Sequence, residues 1–96
     1  MSIKDIKNKI KRVQPFLKER FRVKKIGIFG SYSRSEQRKG SDIDILVEFF
    51  EEPSLFKFLD LEEFLSKLLK SKVDLVMKNA LKSRIGEHIL NEVIYP

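Results

Sequence analysis

The chain has no cysteine and only one histidine among its 96 residues. The absence of cysteine excludes a disulfide framework and thiolate chemistry. Long apolar runs are missing as well, since no stretch approaches the roughly 20 residues that span a bilayer. The lysine-rich N-terminus also lacks the apolar core of a secretory signal. We therefore expect a cytoplasmic protein without a membrane partner.

Acidic residues are in the minority, with 14 Asp and Glu against 20 Lys and Arg, which gives a formal net charge of +6. This balance suits a polyanion such as a nucleoside triphosphate, an acidic partner or nucleic acid, and equally a surface with many lysines. The basic residues are dispersed, and neither a helix-turn-helix nor an aromatic RNA-binding stripe is evident. Direct binding of nucleic acid is therefore not expected.

Apolar spacing predicts a single α/β (α+β) domain over residues 1–96. Ser2 can cap an N-terminal helix over 1–20, and Ser54 can cap a second strong helix. Runs rich in β-branched residues predict strands at 23–29, 42–49 and 72–77. A short helix through about residue 37 and a final helix over about 80–93 complete an α-β-α-β-α-β-α order. The expected architecture is a small mixed sheet with helices packed on it.

Two acids interrupt the second predicted strand. Asp42 and Asp44 project from the same face, roughly 6.6 Å apart along the strand. Two such carboxylates repel each other unless a cation or a proton joins them. Oxygen ligands, without cysteine and with one histidine, favour Mg²⁺ or Mn²⁺ over zinc. An Asp-x-Asp pair alone can also be a strand-opening cap or a solvent-facing edge.

The third predicted strand carries a single acid, Asp74, among apolar residues. If this strand lies beside the second, Asp74 can complete a triad with Asp42 and Asp44. Three carboxylates around a divalent metal are typical of phosphoryl or nucleotidyl transfer, with Asp74 as a ligand or as the base. Alternatively, Asp74 is a surface residue on an edge strand.

The first predicted strand ends at Gly30-Ser31. At a strand-to-helix junction, unpaired backbone N–H groups form an anion site, and glycine lets a phosphate approach the backbone closely. Ser31 adds a hydroxyl, and Arg34 returns near the same helical face. The same Gly-Ser pair is also common turn chemistry.

The segment GSYSRSEQRKGSDIDILVEF closely resembles the signature of the DNA polymerase β-like nucleotidyltransferase superfamily: Gly-Ser, a short helix, then Asp-x-Asp. The length, the KVDLV strand and the tail look like the minimal members of the superfamily, which are antitoxins paired with HEPN-domain proteins. The resemblance covers the chain from Val23 onward and makes 23–96 the catalytic core. It implies phosphate binding by Gly30, Ser31 and Arg34, metal binding by Asp42 and Asp44, and Asp74 as the third carboxylate. Where the family usually has glycine after the arginine, this chain has Ser35.

In that family the antitoxin transfers AMP from ATP to a tyrosine hydroxyl of its HEPN ribonuclease toxin. The resemblance thus implies a Mg²⁺-dependent enzyme (with Mn²⁺ as the alternative metal), ATP as substrate and a HEPN partner. A second hypothesis is an antitoxin that neutralises its partner by stoichiometric contact alone. Phe49, Phe50 and Phe56 are interpreted as core residues first and partner contacts second.

Overall fold

The structure is a computed structural model that describes residues 1–38, 40–81 and 83–96, without the side chains of 83–85. The elements are α1 (Ile3–Phe21), β1 (Val23–Phe29), β2 (Ile43–Phe49), α2 (Leu55–Leu69), β3 (Val73–Met77), one turn of 3-10 helix (Lys78–Ala80) and α3 (Ser83–Glu92). Each strand lies within one residue of its predicted bounds. The predicted fold class is confirmed.

Both long helices begin at the predicted serines. Ser2 and Asp5 form a reciprocal capping box at the start of α1, and the Ser54 hydroxyl accepts from the backbone N–H of Lys57 at the start of α2. Each helix ends at a cap residue in the left-handed conformation, Arg22 after α1 and Lys70 after α2. These caps satisfy backbone groups that a helix end leaves unpaired.

The sheet has the order β1-β2-β3, with β1 antiparallel and β3 parallel to the central strand. In this register Asp44 of β2 lies opposite Phe29 of β1 on one side and Asp74 of β3 on the other. The crossover through α2 makes the parallel pairing possible, because parallel neighbours cannot be joined by a tight turn. The sheet therefore brings two distant acids to one position.

One face of the sheet carries the hydrophobic core beneath α1 and α2. Apolar residues at helical spacing meet the alternate apolar residues of the strands there: Ile6, Ile10, Leu17, Leu61, Leu65 and Leu69 from the helices, and Ile26, Ile28, Ile43, Ile45, Val47, Val73 and Leu75 from the strands. Because strand side chains alternate, Asp44 projects from the opposite face. Burial of the apolar face thus fixes where the acids lie.

The C-terminal segment returns to the edge of β1. Ile94 forms an isolated antiparallel bridge with Ile28, through two backbone hydrogen bonds of 2.8 and 2.9 Å. Val93 and Tyr95 pack against Gly27, where a Cβ atom would collide with the Val93 side chain. The end of α3 is therefore anchored beside the last residues of β1.

Two sequence predictions are wrong in detail. The short helix expected through about residue 37 is a series of turns over 30–35, because left-handed backbone at Gly30 and Ser35 encloses too few residues for a stable helix. Phe50 and Phe56 are not core residues, since they are 56% and 80% exposed. Phe50 directly follows β2, and Phe56 lies in the first turn of α2. Phe49 is partly buried and packs against the core, as predicted.

Among the described residues, no helix is long and apolar enough to cross a membrane.

Candidate active site

The acidic side chains lie at the end of the sheet where β1 stops and β2 and β3 begin. Asp44 and Asp74 are register partners on neighbouring strands, and Asp42 directly precedes β2. The third strand thus lies beside the second, which is the arrangement that a carboxylate triad requires. Asp44 is partly buried, whereas Asp42 and Asp74 are exposed.

The electrostatics of Asp44 reflect this crowding. Burial raises the pKa of the Asp44 carboxyl above its ordinary value, and the negative charges of Asp74 and then Asp42 raise it further. The positive charge of Arg34 acts in the opposite direction and lowers this pKa. A cation at this position would relieve the same repulsion, since an opposite charge favours the ionised form.

The donor set fits a hard divalent cation in its chemistry, because it consists of carboxylate oxygens around one partly buried acid. Within the described residues, however, no group of three His, Cys, Asp or Glu side chains lies close enough together to hold an ion as it stands. Asp42 Oδ2 lies instead 3.9 Å from Lys72 Nζ, and both side chains are exposed. An exposed pair of this length is weak, so it restrains the Asp42 side chain little.

The backbone of Gly30 lies beside the Asp44 carboxylate. Its φ of +75° lies in the left-handed region, and a Cβ atom built there would collide with Asp44 Oδ2. Gly30 is therefore needed both for the turn and for the approach of the acid. The Ser33 hydroxyl donates to the Gly30 carbonyl at 2.9 Å and holds the turn in place.

The remaining loop residues have distinct environments. Tyr32 is 7% exposed and belongs to the core, so it anchors the loop and is not free to stack on a base. Ser31 is partly buried beside it. Ser35, which replaces the family's usual glycine, has a φ of +58°. A non-glycine residue in this conformation costs about 1–2 kcal/mol. Ser35 thus holds a left-handed backbone conformation at an energetic cost.

Arg34 projects from this loop and pairs with two acids. Its Nε donates to Glu36 Oε2 at 3.2 Å, and its Nη1 donates to Glu92 Oε2 at 2.9 Å. These carboxylates raise the pKa of the guanidinium. Sequence reasoning singled out Arg34 but missed Glu92, which comes from the last turn of α3. No local pattern relates two residues so far apart in the chain.

Residues 10–96 match the family model described as a nucleotidyltransferase domain. The chain belongs to the nucleotidyltransferase family. This minimal nucleotidyltransferase is 50% identical over 95 residues to the protein adenylyltransferase MntA of Thermococcus cleftensis. The alignment covers 99% of this chain and 96% of that relative. The resemblance inferred from Gly30-Ser31 and the two Asp-containing strands is thus confirmed.

Solved structures agree with this assignment. A structure described as a minimal nucleotidyltransferase superposes with a TM-score of 0.84 at 32% identity, covering 100% of this chain and 97% of that one. A chain of a crystal structure described as a toxin–antitoxin with AMP-PNP superposes with a TM-score of 0.76 at 28% identity, covering 93% of this chain and 70% of that one. The nucleotidyltransferase thus shares its fold with both of these solved structures.

Replacement of Asp44 by Asn should stabilise the metal-free nucleotidyltransferase at neutral pH. The pKa of Asp44 is raised in the folded state, so protonation of this carboxyl favours folding. This contribution to stability is complete below the unfolded pKa near 3.9 and is lost as the pH rises through the folded pKa. Removing cross-strand repulsion of roughly 0.2–1 kcal/mol should raise the Tm in EDTA by about 1–6 °C at pH 7. The gain should shrink as the pH approaches 4.

Thermal melts at several pH values measure this difference. Asp60→Asn, on the exposed face of α2, is the matched control and should leave the Tm unchanged. A lower Tm for Asp44→Asn than for the wild type at pH 7 would contradict the expectation that charge repulsion at Asp44 destabilises the metal-free protein.

Proposed function

We propose that this protein is an antitoxin that transfers AMP from ATP to a tyrosine hydroxyl of a HEPN ribonuclease toxin. The observation that carries the proposal is the register pairing of Asp44 with Asp74, beside a glycine whose backbone the Asp44 carboxylate touches. The 50% identity with a protein adenylyltransferase supports the same reaction. The similarity to a toxin–antitoxin structure with AMP-PNP supports a toxin as the partner and ATP as the nucleotide.

We assign Asp42 and Asp44 as ligands of Mg²⁺, or of Mn²⁺, with Asp74 as the third carboxylate. Such a metal supplies charge neutralisation on the triphosphate and lowers the pKa of the attacking hydroxyl. Gly30 and Ser31 are assigned to the phosphates at the end of β1. Arg34 is assigned to the same phosphates, for which a guanidinium is well suited.

In the proposed reaction the tyrosine oxygen forms a bond to the α-phosphorus of ATP. The bond from that phosphorus to the bridging oxygen breaks, and pyrophosphate leaves with the electron pair. Asp74 accepts the proton of the tyrosine hydroxyl, because it is the exposed acid on the strand next to Asp44. Arg34 balances charge on the departing pyrophosphate.

We propose that residues 1–96 act as one catalytic domain. Support comes from α1, which buries Ile6, Ile10 and Leu17 in the same core as the strands that carry the acids. Removal of α1 would expose this core. Because the reaction consumes ATP and acts on a ribonuclease, we expect the protein to function in the cytoplasm.

The partner must recognise surfaces outside the acids. Four large apolar side chains at the junction of β2 and α2 are exposed: Phe50, Leu55, Phe56 and Leu59. Exposed apolar clusters commonly mark protein–protein contacts. They lie at the end of the sheet opposite the acids, because β2 begins at Ile43, between Asp42 and Asp44, and ends at Phe49, just before Phe50. Contact there would leave the nucleotide site open.

Phe56→Ser should weaken binding of the HEPN partner while ATP binding is retained. Loss of a buried aromatic contact at an interface typically costs about 1–4 kcal/mol, which predicts a Kd raised roughly 5- to 1000-fold. Isothermal titration with the purified partner measures this change. Lys57→Ser, at the next exposed position of the same helix, is the control and should bind normally. An unchanged Kd for Phe56→Ser would exclude this junction from the interface.

The second candidate function is neutralisation by contact alone. One observation favours it: the exposed apolar side chains that follow β2 and begin α2. In this alternative, the acidic residues take part in no transfer reaction, whether or not they bind a nucleotide. The antitoxin would block the toxin by covering its surface. The two functions differ in whether the partner is modified.

The deciding experiment incubates the purified protein with its HEPN partner, α-labelled ATP and Mg²⁺. Mass spectrometry of the partner should show an added AMP on a tyrosine. Omission of the divalent metal should abolish the label. A tight complex that carries no label with either Mg²⁺ or Mn²⁺ would overturn the transferase proposal in favour of neutralisation by contact.

A further inference from the structure

Arg34 is a positively charged side chain of the turns over 30–35, and its guanidinium already forms ion pairs with two acids. Glu36 binds its Nε and Glu92 binds its Nη1, at 3.2 and 2.9 Å. Two carboxylates around one guanidinium leave a local net negative charge. Phosphates that approach Arg34 must therefore meet repulsion from both acids.

Glu92 differs from Glu36 in how it reaches the arginine. Glu36 is a neighbour in the loop, whereas Glu92 comes from the C-terminal end of α3. The backbone near Glu92 is held by the Ile94–Ile28 bridge, and Val93 packs against Gly27 and donates its N–H to the Ile89 carbonyl at 3.0 Å. The Glu92 carboxylate is thereby kept at a high effective concentration next to Arg34.

The Glu92 side chain can nevertheless leave. It is 31% exposed, and the Arg34 side chain is 44% exposed, so solvent reaches both partners of the pair. An exposed ion pair is worth only about 0.2–1 kcal/mol. Rotation of the Glu92 side chain, with the backbone still anchored, suffices to free Nη1 of Arg34, while Glu36 still binds Nε.

We propose that Glu92 is a positioning residue that occupies Arg34 until the phosphates of ATP displace it. The inference rests on the proposed nucleotide site. It adds that Glu92, at the end of α3, competes with the triphosphate for Arg34. By thermodynamic reciprocity, anything that draws Glu92 away from Arg34 must raise the affinity for ATP, and bound ATP must weaken the Glu92 contact.

The test is a double-mutant cycle on ATP affinity, measured by isothermal titration with ATP and Mg²⁺ on the full chain. Glu92→Gln should bind ATP roughly two- to five-fold more tightly than the wild type. In the Arg34→Ala background the gain from Glu92→Gln should be smaller, because charge repulsion between Glu92 and the phosphates remains but competition for the guanidinium is gone. A merely structural role of Glu92 would act equally in both backgrounds.

Glu87→Gln is the matched control, since it removes one negative charge from an exposed position of the same helix. Its Kd for ATP should equal that of the wild type. Unchanged or weaker ATP binding by Glu92→Gln would overturn the inference, as would an equal gain in the Arg34→Ala background. If the wild type and every variant fail to bind ATP, the proposed function itself falls, and the inference with it.

Discussion

Asp44→Ala should abolish AMP transfer to the partner while leaving the toxin–antitoxin complex intact. Asp44 is the partly buried centre of the acidic group, and the charges of Asp42 and Asp74 already act on its pKa. Its removal would deprive the site of a carboxylate that we assign to the metal. A loss of about 10³-fold or more in the rate of transfer is expected when several kcal/mol of charge stabilisation disappear.

Label transfer from ATP, followed beside a binding titration with the partner, separates the two parts of this expectation. Asp60→Ala, an exposed acid of α2, is the control that should transfer AMP at the wild-type rate. Undiminished transfer by Asp44→Ala would exclude the acid from catalysis. Toxin neutralisation that survives both Asp42→Ala and Asp44→Ala would favour the contact-only antitoxin.

Gly30→Ala should lower both stability and activity. The left-handed φ of +75° costs an alanine about 1–2 kcal/mol, which corresponds to a fall in Tm of roughly 5–10 °C. The added Cβ also collides with the Asp44 carboxylate and must displace it. Because a misplacement of about 1 Å can cost 10²-fold in rate, AMP transfer should fall by about that factor.

Gly40→Ala separates the two causes. Gly40 has a similar φ of +85°, but a Cβ atom there meets no described atom within 4 Å. This variant should therefore lose comparable stability and retain transfer activity when assayed well below its Tm. Equal losses of activity in the two variants would mean that backbone strain, and not the contact with Asp44, is responsible.

The elements that depend on local patterns were predictable. Ser2 and Ser54 stand before apolar residues at helical spacing, and both cap helices in the structure. Alternation of apolar residues in β2 placed Asp42 and Asp44 opposite the core. The single acid in an apolar third strand suggested that Asp74 could join Asp42 and Asp44. Only the parallel register of β2 and β3 shows that Asp74 lies opposite Asp44.

Features that depend on contacts between distant segments were not predictable. The pairing of Glu92 with Arg34 requires α3 to end beside β1, and no spacing in the sequence signals that position. The exposure of Phe50 and Phe56 was also missed, because hydrophobicity alone does not show which aromatic residues lack a covering layer. The turns over 30–35 replaced the predicted helix because two left-handed residues set the length of the segment.

The crossover through α2 also has a consequence for the order of events during synthesis. A chain emerges from the ribosome N-terminus first, at about 5–20 residues per second. Asp42 and Asp44 therefore appear before Asp74, which joins them only after α2 has been made and β3 has docked beside β2. A nascent or prematurely terminated chain that ends within α2 holds no complete set of acids. Such a fragment should not consume ATP, so we expect the proposed nucleotide chemistry to begin only once the sheet is complete.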